Sequence, residues 1–252
     1  MVIIILLILH ILSDFYFQTS KMAQNKKIKF RTLLLHSVIY SIPFFVFFTY
    51  IYINNQINSL ISAFLVIAVS HCVIDLIKIK VENKFDNATQ SLAIFVIDQV
   101  IHVTVILATC YSFNLGSLVA NFNFQIANKS LSFNNCLIYL LIILIIANPT
   151  SIFIKKIFDT LLIDNKISSE EEAKLSNKVN AGRIIGVLER FITMILILAN
   201  QYSVLGLVLT AKSIARFKNF DEKGFAEKYL TGTLISLSVA IAATLILKKF
   251  LI

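Results

Sequence analysis

Residues 58–77 read NSLISAFLVIAVSHCVIDLI. At about 1.5 Å per residue these positions span the roughly 30 Å hydrocarbon core of a bilayer as one helix. The run lacks the period-2 alternation of a barrel strand, which decides for a helix. Its single charge, Asp75, stands four residues after His71, so the two side chains share one helical face.

The same reading extends outward. The chain has 252 residues, 58% hydrophobic and 15% charged, with a mean hydropathy of +0.82. A soluble domain carries about a quarter charged residues, so the composition describes a polytopic membrane protein, which must be helical or a closed barrel. Apolar runs between polar breaks predict an all-α transmembrane bundle of about eight spans, near residues 1–19, 33–53, 58–77, 91–112, 135–154, 184–200, 202–215 and 230–247. The sixth and seventh are short and charged, which suits a tilted or re-entrant hairpin. Met1–Leu12 lacks a basic start and a small-residue cleavage site, so it reads as a retained span rather than a signal peptide. The three cysteines are isolated and read as inert small hydrophobes. Two units follow, residues 1–112 and 113–252.

The net charge of +9 does not point to nucleic acid, because the basic residues sit in short loops. Loops after the first, third, fifth and seventh spans hold 18 of the 23 Lys and Arg residues. By the positive-inside rule these loops are cytoplasmic and both termini face outward. The loop after span five also predicts a short helix at about 165–180, with Ser169 and Glu172 in capping-box spacing. Asn148-Pro149 is expected to kink or end span five. Gly186, Gly206 and Gly232 read as close-packing points between helices.

Ionisable residues inside spans mark sites or paths. Three i,i+4 pairs stand in the first four spans: His10/Asp14, His71/Asp75 and Asp98/His102, with His36 alone on the second. Given the orientation, all seven groups lie within about 5–17 Å of the cytoplasmic boundary. Neutral imidazoles and carboxylates at one depth suit a divalent ion, Zn, Fe or Mn. The expected ligands are His10, Asp14, His71, Asp75 and His102, with His36 as a weaker candidate. Asp98 is either a ligand or the general base, and Asp14 a second catalytic carboxylate. Gln18 and Gln99 sit beside them as substrate contacts. Two other readings stay open: a proton or cation path of a transporter, and interhelical hydrogen bonds worth about 0.6–2 kcal/mol each.

A second cluster comprises Arg183, Glu189 and Arg190 at the start of span six, and Lys212 and Arg216 at the end of span seven. It is expected either to grip an anionic head group or to form an internal salt-bridge set with snorkelling side chains.

The stretches 10–19 (HILSDFYFQT), Leu35-His36, 71–75 (HCVID) and 98–102 (DQVIH) resemble a bacterial integral membrane family known as domain of unknown function 3307. The stretches 180–183, 211–217 and 231–234 look like the C-terminal part of its longer members. The resemblance implies a multi-pass protein of the bacterial cytoplasmic membrane, and it names no reaction. Residues 70–75 (SHCVID) are also similar to a motif of inner-membrane proteins described as metal-dependent hydrolases. The resulting expectation is a metal-dependent intramembrane hydrolase acting on an anionic lipid, phosphoester or amphiphile from the cytoplasmic side. The alternatives are a cation- or proton-coupled transporter and a non-catalytic scaffold.

Overall fold

The computed structural model describes residues 1–55, 57–84, 87–118, 123–126, 129–161, 169–219 and 225–249. Its helices are α1 (Val2–Phe15), α2 (Ser20–Asn25), α3 (Phe30–Asn55), α4 (Ser59–Glu82), α5 (Ala88–Ser112), α6 (Phe133–Leu161), α7 (Ser169–Leu198), α8 (Tyr202–Ala215) and α9 (Phe225–Lys248). Between α5 and α6 a small antiparallel hairpin pairs β1 (Asn123–Ile126) with β2 (Lys129–Ser132). The sequence reading treats that stretch as a plain loop.

Among the described residues, five helices are long and apolar enough to cross a bilayer: α3, α4, α5, α6 and α9. By length and composition the chain is a multi-pass membrane protein. These five coincide with five of the eight expected spans. At about 1.5 Å per residue, the 14 residues each of α1 and α8 cover only about 21 Å. The expected loop helix at 165–180 is not a separate element either. From Ser169 the helix continues unbroken to Leu198, while Ser168 and the side chains of the expected capping box lie outside the described residues.

The chain divides into two compact units, Met1–Leu141 and Ile142–Ile252, so the boundary falls inside α6 rather than at residue 112. In the first unit, α1 packs on α3 and α5, and α4 packs on the same two. These four helices close a ring. Its interior has two layers. One is dry, with Leu6, Phe44, Phe48, Ala63, Ile67 and Ile106 buried against one another. The other holds the buried polar side chains of the same helices. The outside is apolar, with Val38, Ile42, Val69 and Val100 all more than half exposed. Such an inverted arrangement suits a lipid surround.

In the second unit α7 packs on α8 and α9. Helix α6 runs through Pro149. Proline has no N–H for the carbonyl four residues back, so that carbonyl needs another donor. Thr150 Oγ1 donates to Ile145 O at 2.7 Å. Arg190, 3% exposed on α7, supplies the next turn: Nε donates to Ile146 O, and Nη2 to Ala147 O (3.3 Å) and Ser151 Oγ (2.7 Å). Its Nη1 donates to Ser236 Oγ on α9 at 3.0 Å. Among the glycines expected to allow close packing, Gly232 does so, since a Cβ there would lie 2.6 Å from the Phe158 ring. At Gly206 there is open space instead. The α7–α8 turn passes through Asn200 in the left-handed region (φ 60), and Lys248 Nζ donates to the carbonyl of Ile197 at 2.9 Å.

Losing a partner leaves a buried carbonyl unsatisfied, at about 1–3 kcal/mol per group. Arg190→Leu is therefore expected to lower the thermal midpoint of the detergent-solubilised protein clearly. Arg190→Lys, with a single ammonium, is expected to recover part of it.

Candidate metal centre

The polar layer of the first unit gathers the side chains of three i,i+4 pairs and His36, as expected from their common depth. His36, His10, His71 and Asp75 are at most 1% exposed, His102 and Asp98 2–3%, and Asp14 8%. Each comes from a different turn of α1, α3, α4 or α5, which places it on the inner face of the ring.

Hydrogen-bond direction fixes most of the ring tautomers. The His102 Nδ1 faces the backbone carbonyl of Asp98 at 2.8 Å, so it carries the proton and Nε2 is the acceptor. His71 Nδ1 lies 2.8 Å from that Nε2 and must donate to it. His71 Nε2 is then an unprotonated lone pair inside the pocket. A second chain starts at the Tyr40 hydroxyl, 3.0 Å from His10 Nδ1. Gln99 Oε1 accepts from His10 Nε2 at 3.3 Å, and Gln99 Nε2 donates to Asp14 Oδ2 and Asp98 Oδ2, both at 3.0 Å. Tyr40 also stacks flat on His71, with ring centroids 3.4 Å apart and planes 3° from parallel.

Around the His71 lone pair three more donor atoms converge. His36 Nε2 is 3.2 Å from His71 Nε2, 3.5 Å from Asp14 Oδ1 and 3.4 Å from Asp75 Oδ2. The distance from His71 Nε2 to Asp75 Oδ2 is 3.9 Å, and Asp14, His36 and His71 offer donor atoms all within 4.8 Å of one another. An ion with ligand bonds of about 2.0–2.1 Å in tetrahedral geometry separates its ligands by about 3.3–3.4 Å. The three distances from His36 Nε2 to Asp14, His71 and Asp75 match those edges, and the His71–Asp75 distance is longer.

His71, Asp75 and His102 also lie within ligand range of one another. The tautomer argument sets His102 apart, because both of its nitrogens are engaged. It stands behind His71, donating to a carbonyl and orienting the ligand ring. His10 is likewise engaged at both nitrogens and joins neither group. His36, ranked last by sequence, is central. The physical reason is that His36 lacks an i+4 carboxylate on its own helix and takes its carboxylate neighbours from α1 and α4.

Two lysines that the sequence reading placed in loops belong to the site. Lys26 follows α2 and is 7% exposed, with Nζ on Asp75 Oδ2 at 2.8 Å. Lys78 on α4 puts Nζ on Asp98 Oδ2 at 2.7 Å. Lys78 was legible, as it sits seven residues after His71 on the same helical face, and Tyr40 four after His36. Lys26 carried no such signal among its neighbouring lysines. Gln18, with its amide oxygen turned to the ammonium, accepts from Lys26 Nζ at 3.0 Å and donates to Asp14 O at 3.0 Å.

Three buried atoms in or beside this layer have no hydrogen-bond partner among the described residues: Asp98 Oδ1, His36 Nδ1 and Ser13 Oγ.

The C-terminal basic residues do not assemble into one anion receptor. Four of the five N–H groups of Arg190 serve α6 and α9, as described above. Arg183 donates to Asn148 Oδ1 at 2.7 Å, and Arg216 closes α8. Lys212 pairs with Glu189 at 2.5 Å and lies 5.3 Å over the Tyr229 ring. Glu189, Arg190 and Lys212 line a shallow cleft with Leu205, Leu209 and Ser236. Of the two expected outcomes, the internal salt-bridge set is the one these contacts describe.

A family model described as "Protein of unknown function (DUF3307)" matches residues 2–131. The chain belongs to this family. The match spans just over half of the sequence and contains every residue of the polar layer. No curated protein and no solved structure matches the chain.

If His102 orients rather than ligates, His102→Ala is expected to weaken metal binding by about 10–100-fold without abolishing it. His36→Ala and His71→Ala are expected to remove it, and His10→Ala to leave it close to wild type. Competition titration with a chromophoric chelator measures all four. Equal effects of His10→Ala and His36→Ala would contradict the assignment.

Proposed function

We propose that the chain is a metal-dependent intramembrane hydrolase that binds one divalent ion, Zn²⁺, Fe²⁺ or Mn²⁺, on Asp14, His36, His71 and Asp75. The observation behind this reading is the four-atom spacing around a histidine lone pair whose tautomer is fixed from behind.

Charge balance supports it. The pocket holds three carboxylates, on Asp14, Asp75 and Asp98, against two ammonium groups, on Lys26 and Lys78. With neutral imidazoles it is one negative charge in excess. A divalent ion would bring the sum to one positive charge, which an anionic substrate would offset in low dielectric.

Such an ion, held by these residues, would supply hydrolytic chemistry by making a coordinated water more acidic. Asp98, whose Oδ1 is buried and open to a donor, would act as the general base that takes a proton from water. The net reaction would be hydrolysis of an ester, in which water adds and the bond to the alcohol breaks. Asp98 would return its proton to the leaving alkoxide. No electron changes owner, so no redox partner is needed.

The loop charges orient the site toward the cytoplasmic face of a bacterial cytoplasmic membrane, with both termini outside and α1, α7 and α8 as further crossings beside the other five helices. The substrate is then an anionic lipid, phosphoester or amphiphile reaching the pocket from that leaflet. Three unpartnered buried polar atoms speak against a scaffold, which needs every such group satisfied.

A second reading rests on one feature. His36, His71 and His102 form a chain of imidazole contacts, 3.2 and 2.8 Å, across three helices. Such a chain can relay protons in a transporter.

Elemental analysis of gently purified protein decides first: about one metal per wild-type chain is expected, and none in His71→Ala. No metal in either sample would remove the reading. With metal present, ester hydrolysis by detergent-solubilised protein supports the hydrolase. Metal-dependent proton movement across liposomes without hydrolysis supports the transporter.

A further inference from the structure

We infer that Lys26 is a tethered cation that competes with the metal for Asp75, and that metal binding turns its ammonium toward an anionic substrate such as a phosphoester. This rests on the metal reading above.

The contested atom is Asp75 Oδ2. It accepts from Lys26 Nζ at 2.8 Å, and it is also the oxygen that faces His36 Nε2 (3.4 Å) and His71 Nε2 (3.9 Å). A metal bonded to this oxygen at about 2.0–2.2 Å would lie no more than about 5 Å from the ammonium. A dication and an ammonium that close, in a low-dielectric interior, repel strongly. One of them has to move. The metal is held by four donors, whereas Lys26 is held by Asp75 and the Gln18 carbonyl.

The segment that carries Lys26 lies largely at the surface. It joins α1 to α3, and none of the residues of α2 is buried. Ile28 and Phe30, just beyond, are 82% and 60% exposed. Its ties to the bundle among the described residues include the packing of α2 on α3, the contacts of Lys26 and Gln18, and Lys27, half exposed, which pairs with Glu82 at 2.8 Å. Lys78, by contrast, sits inside α4.

The charge count then changes sign. Without metal the pocket is one negative charge in excess, and Lys26 serves as an internal counter-ion. With a dication bound, the same groups carry one positive charge in excess. A released Lys26 beside the metal offers a second positive centre, which is what an ester phosphate or a carboxylate needs. A neutral substrate would gain nothing from it.

The experiment uses the full chain in detergent, with Zn²⁺ and inorganic phosphate as probes. Zn²⁺ affinity is read by chelator competition, and phosphate affinity by titration of the Zn²⁺-loaded protein. Lys26→Met is expected to bind Zn²⁺ at least about tenfold more tightly, because a competing charge is gone, and to bind phosphate more weakly. Lys26→Arg should stay within about threefold of wild type for both, since charge is kept. Lys27→Met, the neighbouring control, should change neither.

Opposite shifts in the two affinities support the inference, because a residue that only holds the fold would weaken both. Zn²⁺ affinity unchanged or weakened in Lys26→Met overturns it, and so does unchanged phosphate binding. If the wild type takes up no Zn²⁺ but Lys26→Met does, competition is supported while the native metal centre proposed above falls. If neither takes up Zn²⁺, both readings fall.

Discussion

Buried charge must be answered inside the protein, and the first unit is organised around that demand. A carboxylate removed from water costs several kcal/mol unless it is paired and hydrogen-bonded. Asp75 is met by Lys26, Asp98 by Lys78 and Gln99, and Asp14 by Gln99 and His36. Except for Gln99 beside Asp98, every answering group comes from a different element than the carboxylate it meets. The helices therefore cannot bury these groups singly. The polar layer closes only when α1, α3, α4 and α5 are all in place, and the dry layer beside it supplies the packing that holds them there.

The same demand gives the layer chemical direction. The backbone carbonyl of Asp98 sets the His102 tautomer, His102 sets His71, and the His71 lone pair is thereby aimed at His36 and the carboxylates. Tyr40 ties this ring to the second chain, stacking on His71 while its hydroxyl holds His10. A ring oriented in this way has little freedom left to lose on engaging a further partner. The second unit solves a related problem with other parts. Pro149 frees a carbonyl within α6, and the hydroxyl of Thr150 and the guanidinium of Arg190 donate to the carbonyls of that turn. The family match covers residues 2–131, so the polar layer lies in the shared part and the proline clamp outside it.

Much of this was legible before any coordinates. The apolar run at residues 58–77 already required a helix in lipid, and the His/Asp pairs at i,i+4 already required a common face. Depth matching from the loop charges brought the pairs to one level, and the structure places them in one layer. What stayed hidden has physical causes too. Charge counting treats lysines as loop markers, which hid Lys26 and Lys78, whose stems run along apolar surface while their ammonium groups turn inward.

Sequence by itself determined the membrane character, the helical class and the identity of nearly all polar-layer residues, because hydrocarbon admits few backbone solutions and makes every ionisable residue conspicuous. Tertiary structure alone decided which of them face one another. Histidines 10 and 102 look like ligands in sequence because each has an aspartate one turn away, yet their nitrogens are engaged by Tyr40, Gln99, His71 and a carbonyl. His36 looks solitary because its neighbours lie on α1 and α4, which no local spacing encodes. Hydrogen-bond direction is a property of assembled neighbours, and it exists only once the ring of helices has closed.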